Sequence, residues 1–448
     1  MATATVGLAW MGLGSAAAAP AVASIAIHPD IAASRLVSTS APPTLAQCEA
    51  QYKVACYDPA QIQAAYDLKP LYNRGYAGQG KTIVIVDSFG SPTIVHDLAK
   101  FDHDFNLPAP PSFKIITPDG PVPHNLSWAG EVSLDVEYSH AIAPGANILL
   151  VETPVSEEEG TVGFPQIVEA ENYVINHHLG DVISQSFSAT EETFPTAQSL
   201  LRLRSAYINA DKHDITVLAA SGDSGAADVN FGEIDYYLHP VTSWPDSDPL
   251  VTGVGGTQLH LTASGTKTAP DSVWNDTYNV PTQEFIFGDA GPNPLAGGGG
   301  KSIIFSRPSY QNSVASVVGQ HRGVPDISMS GACNGGVLVY QSFAGSPPGY
   351  YDTCGTSEAT PEFAGIVAIA DQYAGHDLGL INPALYEMSA DGDPGIVDVT
   401  RGNNTVTFPQ NGKIDTVHGF RALSGYDLAS GVGTVDAWRF VPEIAAIG

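Results

Sequence analysis

Ser357 stands in the stretch "CGTSEATPEFAG" (354–365), behind Gly355 and Thr356. The apolar run that follows (Ala359, Phe363, Ala364, Ile366, Val367, Ile369, Ala370) continues to Gly375 and predicts a core helix. Two readings of the hydroxyl are open. A serine ahead of an apolar helix is a usual N-cap, accepting a free backbone N–H. It can also be a nucleophile, because the unpaired N–H groups of a helix start can hold an oxyanion. Upstream, Glu131 and Asp135 in "WAGEVSLDVEYSHAIAPGA" are four apart and share one face of a predicted helix. On a solvated face such a pair is ordinary in an acidic chain. Buried near Trp128 and the apolar "AIAP", it must share a proton or raise one pKa, and it can then act as a base in acid. Asp223, in "SGDSGA", follows the apolar run "TVLAAS", where a polar turn and a crevice carboxyl are the alternatives.

Competing constellations are weaker. The nucleophile elbow Gly-x-Ser-x-Gly needs glycine at 359, where alanine stands. Ser357, Asp398 and His418 follow a hydrolase triad order, but most of the expected sheet precedes Ser357. His140, on the same predicted helix as Glu131, is better read as packed or solvated than as a base. "GGGGKS" (297–302) lacks the leading glycine of a phosphate loop, with Leu295 in its place, and reads as a flexible turn.

The elements that must carry these groups alternate. Apolar runs at 81–88, 146–152, 180–187, 216–221 and 250–256 read as buried strands, with helical stretches at 93–106, 128–142, 163–178 and 193–212. This predicts an α/β fold with a mainly parallel central sheet and helices on both faces. Ligands of such sheets lie beyond the carboxyl ends of the strands, which is where Asp223 falls. Residues 260–320, rich in Gly, Pro and Asn, read as long surface loops.

The chain has 448 residues and a net charge of −29, from 18 basic and 47 acidic side chains. With no basic cluster, the composition argues against a nucleic-acid partner. In acid the carboxylates protonate and few cations remain to repel one another, which suits work at low pH. Residues 1–24 are apolar and small, carry Ala21-Val22-Ala23, and read as a secretory signal that lacks the usual leading positive charge. Residues 25–47 read as a linker or residual pro-segment, and 48–448 as one domain. Four cysteines fall in two local groups. The expected pairs are Cys48 with Cys56 and Cys333 with Cys354, the second around a hairpin, and export makes disulfides plausible.

Taken together, "GEVSLD", "SGDSGA" and "CGTSEATPEFAG" resemble the sedolisin family, the serine-carboxyl peptidases, over roughly residues 50–448. "APGANI", "VTGVGGT", "RGVPDIS" and "GYDLASGVG" add to the likeness. The resemblance implies a subtilisin-like fold in which Glu replaces the usual histidine. It implies Ser357 as nucleophile, Glu131 as general base, Asp135 as its partner and Asp223 as the oxyanion-hole acid. Some members extend the carboxyl network after the first strand, and Asp87 occupies that place, where a strand-end turn explains it equally well. Many members carry a long N-terminal propeptide, and the segment ahead of residue 48 is short for one.

The resemblance also implies one structural calcium ion held by Asp398, the Val399 carbonyl, two carbonyls of a Gly-x-Gly-x-Asp segment and its final Asp. Here that segment reads Leu423-Ser424-Gly425-Tyr426-Asp427, so Leu423 replaces the first glycine. Oxygen donors of this kind suit calcium, although two ordinary turn aspartates would look the same. The expected protein is a secreted, monomeric, acid-acting endopeptidase on polypeptide substrates, without a stable membrane partner once the N-terminal segment is removed. The alternatives are an inactive peptide-binding relative and a neutral-pH hydrolase that uses histidine.

Overall fold

The computed structural model describes residues 28–29, 31–123, 125–155, 163–230 and 235–448. The signal-like segment and its Ala21-Val22-Ala23 lie outside the described residues.

The first long strand, Thr82–Ser88, shows how the sheet is built. Side chains alternate faces along a strand. Ile83 and Ile85 enter one apolar core, while Val84 and Val86 enter another. Asn147–Thr153 does the same with Ile148 and Leu150 against Leu149 and Val151. A strand buried on both faces needs helices on both, and they are present. The first core takes the helices Leu126–Ile142 and Thr356–Ala374; the second takes Phe164–Asn176 and Ser205–Asp211. Below, Leu126–Ile142 is the acid helix and Thr356–Ala374 the serine helix.

The central sheet has eight strands. Across it run Ser272–Val273, Thr252–Gln258, Thr216–Ala220, Val182–Gln185, Thr82–Ser88, Asn147–Thr153 and Phe113–Ile116, with Ile327–Ser330 also paired to Thr252–Gln258. Every pairing is parallel except that of Ser272–Val273. The expected α/β architecture is therefore present. "RGVPDIS" secures one strand of it: Arg322 and Asp326 are wholly buried, and Arg322 Nη1 donates to Asp326 Oδ1 at 2.7 Å.

Three stretches differ from the sequence reading. Within the expected linker, Ala33–Ser38 is a strand in a four-stranded sheet with Gly349–Cys354, Gly336–Gln341 and Cys56–Tyr57. Residues 193–212 form two short helices rather than one. The expected loops of 260–320 include the helix Val280–Phe287 and the strand Gly300–Ser306. Both expected disulfides form, Cys48–Cys56 and Cys333–Cys354. The second ties the Gly336–Gln341/Gly349–Cys354 hairpin at the foot of the serine helix. Among the described residues, no helix is long and apolar enough to cross a membrane.

Candidate active site

The carboxyl ends of three neighbouring strands carry Asp87, Ser186 and the Ser221–Asp223 turn. Adjacent strands lie about 4.8 Å apart, so these groups share one small region of the sheet edge. Asp87 follows Ile83 and Ile85 in the alternation and so faces the acid and serine helices.

The acid helix enters this region with Glu131 and Asp135, one turn apart on one face and each 0% exposed. Ser186 Oγ donates to Asp135 Oδ1 at 3.0 Å, which fixes that carboxyl over the Val182–Gln185 strand. Burial pushes the Asp135 carboxyl well above its usual range. The negative charge of Asp87 adds to this, and the Ser186 bond opposes it. Asp87 is raised for the same first reason, with Glu152 on the adjacent strand as the second. The solvated-face alternative for Glu131 and Asp135 is thereby excluded.

Ser357 is not the cap of its helix. The N-cap is Gly355, whose φ of 137° lies where a side chain is disfavoured, so the glycine of "GTS" has a backbone reason. Ser357 sits in the first turn and is 0% exposed, and among the described residues its Oγ meets no hydrogen-bond partner. The capping oxygen comes from Asp223. Its Oδ1 accepts from the Thr356 backbone N–H at 2.7 Å and from Thr356 Oγ1 at 2.9 Å, while Gly222 N–H donates to Thr356 Oγ1 at 3.1 Å. Asp223 is thus bound to the residue directly before Ser357. One strand over, Asp135 is bound to Ser186.

Sequence reasoning missed Ser186, Thr356 and the glycine run. An isolated serine or threonine at an element end carries no pattern that separates it from a turn residue. The run 297–300 is buried rather than flexible. A Cβ on Gly298 would stand 1.8 Å from the Ser221 carbonyl oxygen, and its N–H donates to Gly222 O at 2.7 Å. These glycines wall the Asp223 turn.

The competing residues lie elsewhere. His140 is buried, with Nε2 2.7 Å from Pro108 O and 3.2 Å from Asp102 Oδ1. His418 is exposed, and Asp398 Oδ2 accepts from Gly425 N–H at 3.0 Å, so neither joins Ser357 through these contacts.

That last bond brings two of the expected calcium segments together. Asp427 Oδ1 is occupied by Ala429 N–H, Ser430 N–H and Ser430 Oγ, whereas Oδ2 accepts only from Leu423 N–H at 2.8 Å. A carboxylate oxygen has room for a further partner, so Asp427 Oδ2 and the exposed Asp398 fit a hard cation in donor type. Val399 is buried, Gly425 has φ of 77°, and Leu423 is exposed. Among the described residues, no group of three or more His, Cys, Asp or Glu side chains gathers where it could hold a metal ion. The expected set has only two carboxylates and draws its other ligands from carbonyls.

The subtilase family profile matches residues 122–386. Kumamolisin of Bacillus sp. (strain MN-32) is 29% identical over 395 residues, covering 84% of this chain and 62% of that protein. Sedolisin of Pseudomonas sp. (strain 101) is 27% identical over 396 residues, covering 88% and 62%. Human tripeptidyl-peptidase 1 is 28% identical over 319 residues, covering 68% and 50%. The chain thus spans between half and about three fifths of the length of these relatives. The solved structure of Pseudomonas sedolisin, a serine-carboxyl proteinase, superposes with a TM-score of 0.72 at 24% identity, covering 88% of this chain and 99% of that one. The fold is therefore subtilisin-like, and the chain belongs to the subtilase family, in its sedolisin branch.

Proposed function

We propose that this chain is a secreted, acid-acting serine-carboxyl endopeptidase. Ser357 attacks the peptide carbonyl, Glu131 takes the hydroxyl proton and returns it to the leaving amine, and Asp135 supports Glu131. Asp223, in its protonated form, donates to the oxyanion. The observation that carries this reading is the pairing of two contacts: Asp223 on Thr356 N–H at 2.7 Å and Asp135 on Ser186 Oγ at 3.0 Å. They put one carboxyl beside the first turn of the serine helix and another on the neighbouring strand.

The chemistry suits acid. A histidine base is charged below about pH 6.5 and cannot accept a proton there, whereas a glutamate backed by a second carboxyl can be ionised near pH 4. The raised Asp135 keeps a proton in that range, which lets Glu131 carry the charge. Two disulfides suit an exported protein. One calcium ion held by Asp398, Val399, Leu423, Gly425 and Asp427 would brace the loop after the sheet, and no catalytic step runs through it.

The experiment is hydrolysis of an unfolded protein by the wild type and by Ser357→Ala at about pH 4, with circular dichroism to check the fold. The reading expects the variant to be folded and inactive. A folded Ser357→Ala protein with near-normal turnover removes it.

A further inference from the structure

A second pair of carboxyls lies on the sheet beneath the acid helix. Along the parallel strands Thr82–Ser88 and Asn147–Thr153, Ile83 stands opposite Ile148, Ile85 opposite Leu150 and Asp87 opposite Glu152. The aliphatic side chains of this series all enter the core that the acid helix covers, so by strand alternation both carboxyls point to that side. Residues opposite one another on adjacent strands are about 4.8 Å apart, close enough for two carboxylates to repel strongly. The turn after the first strand is shaped around Glu152. Phe89 N–H donates to Thr153 O at 3.0 Å and pins the turn to the neighbouring strand. A Cβ at Gly90 would stand 1.9 Å from Glu152 Oε1, so a glycine here leaves the room that the carboxyl fills.

The two members of the pair differ in their access to water. Asp87 is 1% exposed, and neither of its oxygens meets a hydrogen-bond partner among the described residues. Glu152 is half-buried, because the edge strand Phe113–Ile116 covers its strand only as far as Val151. Among the described residues, Asp87 and Asp135 form no ion pair with Lys, Arg or His. The ionisable groups around them are carboxyls: Glu131 and Asp135 from the acid helix and Glu152 from the adjacent strand, with Ser186 as a neutral donor. On the serine helix, Glu358 is set against Glu362, Asp352 and Asp223 instead. Two neighbouring carboxyls do not both ionise in acid; the one that reaches water takes the charge, and the buried one keeps the proton. We propose that Glu152 is a positioning residue of the acid catalyst: it keeps the Asp87 proton in place, so that Glu131 and Asp135 ionise beside a neutral neighbour instead of a charged one. Without the Glu152 charge, Asp87 gives up its proton at lower pH. Its own charge then opposes ionisation of the Glu131–Asp135 pair, and the acid limb of kcat moves to higher pH. The inference rests on the peptidase reading for the work of Glu131 and Asp135, but not for the Asp87–Glu152 pair itself.

The test uses the full-length chain, with circular dichroism to check the fold of each variant. In Ser357→Ala protein with isotope-labelled aspartate carboxyls, an NMR titration follows Asp87, whose signal is the one lost in Asp87→Asn. Glu152→Gln, which keeps the shape of the side chain and removes its charge, should make that signal titrate at lower pH. In active protein, Glu152→Gln should lower kcat several-fold at about pH 3.5, while KM and the rate near about pH 5 hold to within about twofold. In an Asp87→Asn background the same substitution should not move the acid limb, because an amide has no proton to hold. An Asp87 signal that titrates at the same pH with and without Glu152 overturns the assignment. So does an acid limb that stays in place, or one that moves as far in the Asp87→Asn background. The expected NMR shift with no turnover by any form removes the peptidase reading and leaves Glu152 as the holder of the Asp87 proton.

Discussion

Asp135 and Asp223 are both carboxyls, yet they stand in different surroundings. Asp135 is wholly buried and anchored by one serine hydroxyl; Asp223 is half-exposed and caps a helix through Thr356. Glu131→Gln and Asp135→Asn should each lower kcat by about two or more orders of magnitude, the usual cost of losing a general base or its support. His140→Ala should cost less than either, because His140 bonds Pro108 and Asp102 instead. If it cost more, the carboxyl mechanism would be wrong. Asp223→Asn should retain more activity than Asp223→Ala, since an amide can still donate a hydrogen bond. Its activity should also fall less steeply on the alkaline side, because asparagine does not titrate. An unchanged alkaline limb in the Asn variant takes Asp223 out of the oxyanion site. All four of these side chains were legible in the sequence as candidates. What removed the cap reading of Ser357 was the backbone: Gly355 with positive φ is the cap, which residue spacing alone does not reveal.

At the scale of elements, the serine and acid helices must lie close for the two sets of carboxyls to meet. Gly365 permits this: a Cβ there would stand 2.7 Å from the Ile142 side chain. Gly365→Ala should therefore destabilise the fold by about 1–3 kcal/mol, as overpacking of a tight core does. Urea unfolding is the check, and an unchanged midpoint would mean that the helices can separate without loss. The strands of the sheet were readable because "TIVIVDS" and "NILLVET" are apolar on both faces. Ala33–Ser38 was not. Its "ASRLVS" has an exposed Arg35 and no clean alternation, and it gains its order from pairing with a strand more than three hundred residues away. Likewise the four glycines at 297–300 look flexible in composition. Their role appears only when the Ser221 carbonyl is found against Gly298.

Among the described residues, more acid groups are buried than are paired with bases. Burial raises Glu137, Glu171, Asp352, Glu358 and Glu362 well above the usual range, and it lifts Asp276 to about 6, Glu192 to about 7 and Asp371 to about 8. These pKa values are higher folded than unfolded. As pH rises past about 4 the unfolded chain loses its protons first, so the stability held below that pH drains away as pH climbs through the raised values. The melting midpoint should be highest near about pH 4–5 and about 10 °C or more lower by about pH 8. A midpoint that rises over that interval contradicts the burial pattern. Calcium, binding only the folded chain, should raise the midpoint at about pH 5 relative to chelator. No shift together with no bound metal by elemental analysis would exclude the Asp398–Asp427 site. The low count of basic residues, visible in composition, leads to the expectation of tolerance of acid. Which carboxyls are buried could be known only from the fold.

The most direct measurement of the central claim is the rate of hydrolysis of an unfolded protein from about pH 3 to pH 8, for wild type beside Ser357→Ala. With Glu131 as the base and a protonated Asp223 at the oxyanion, the wild type should peak in acid and fade before about pH 7, and Ser357→Ala should be flat at background throughout. A wild-type optimum at neutral pH, with the rate rising through the histidine range near about 6.5, would contradict the account and point to an imidazole base.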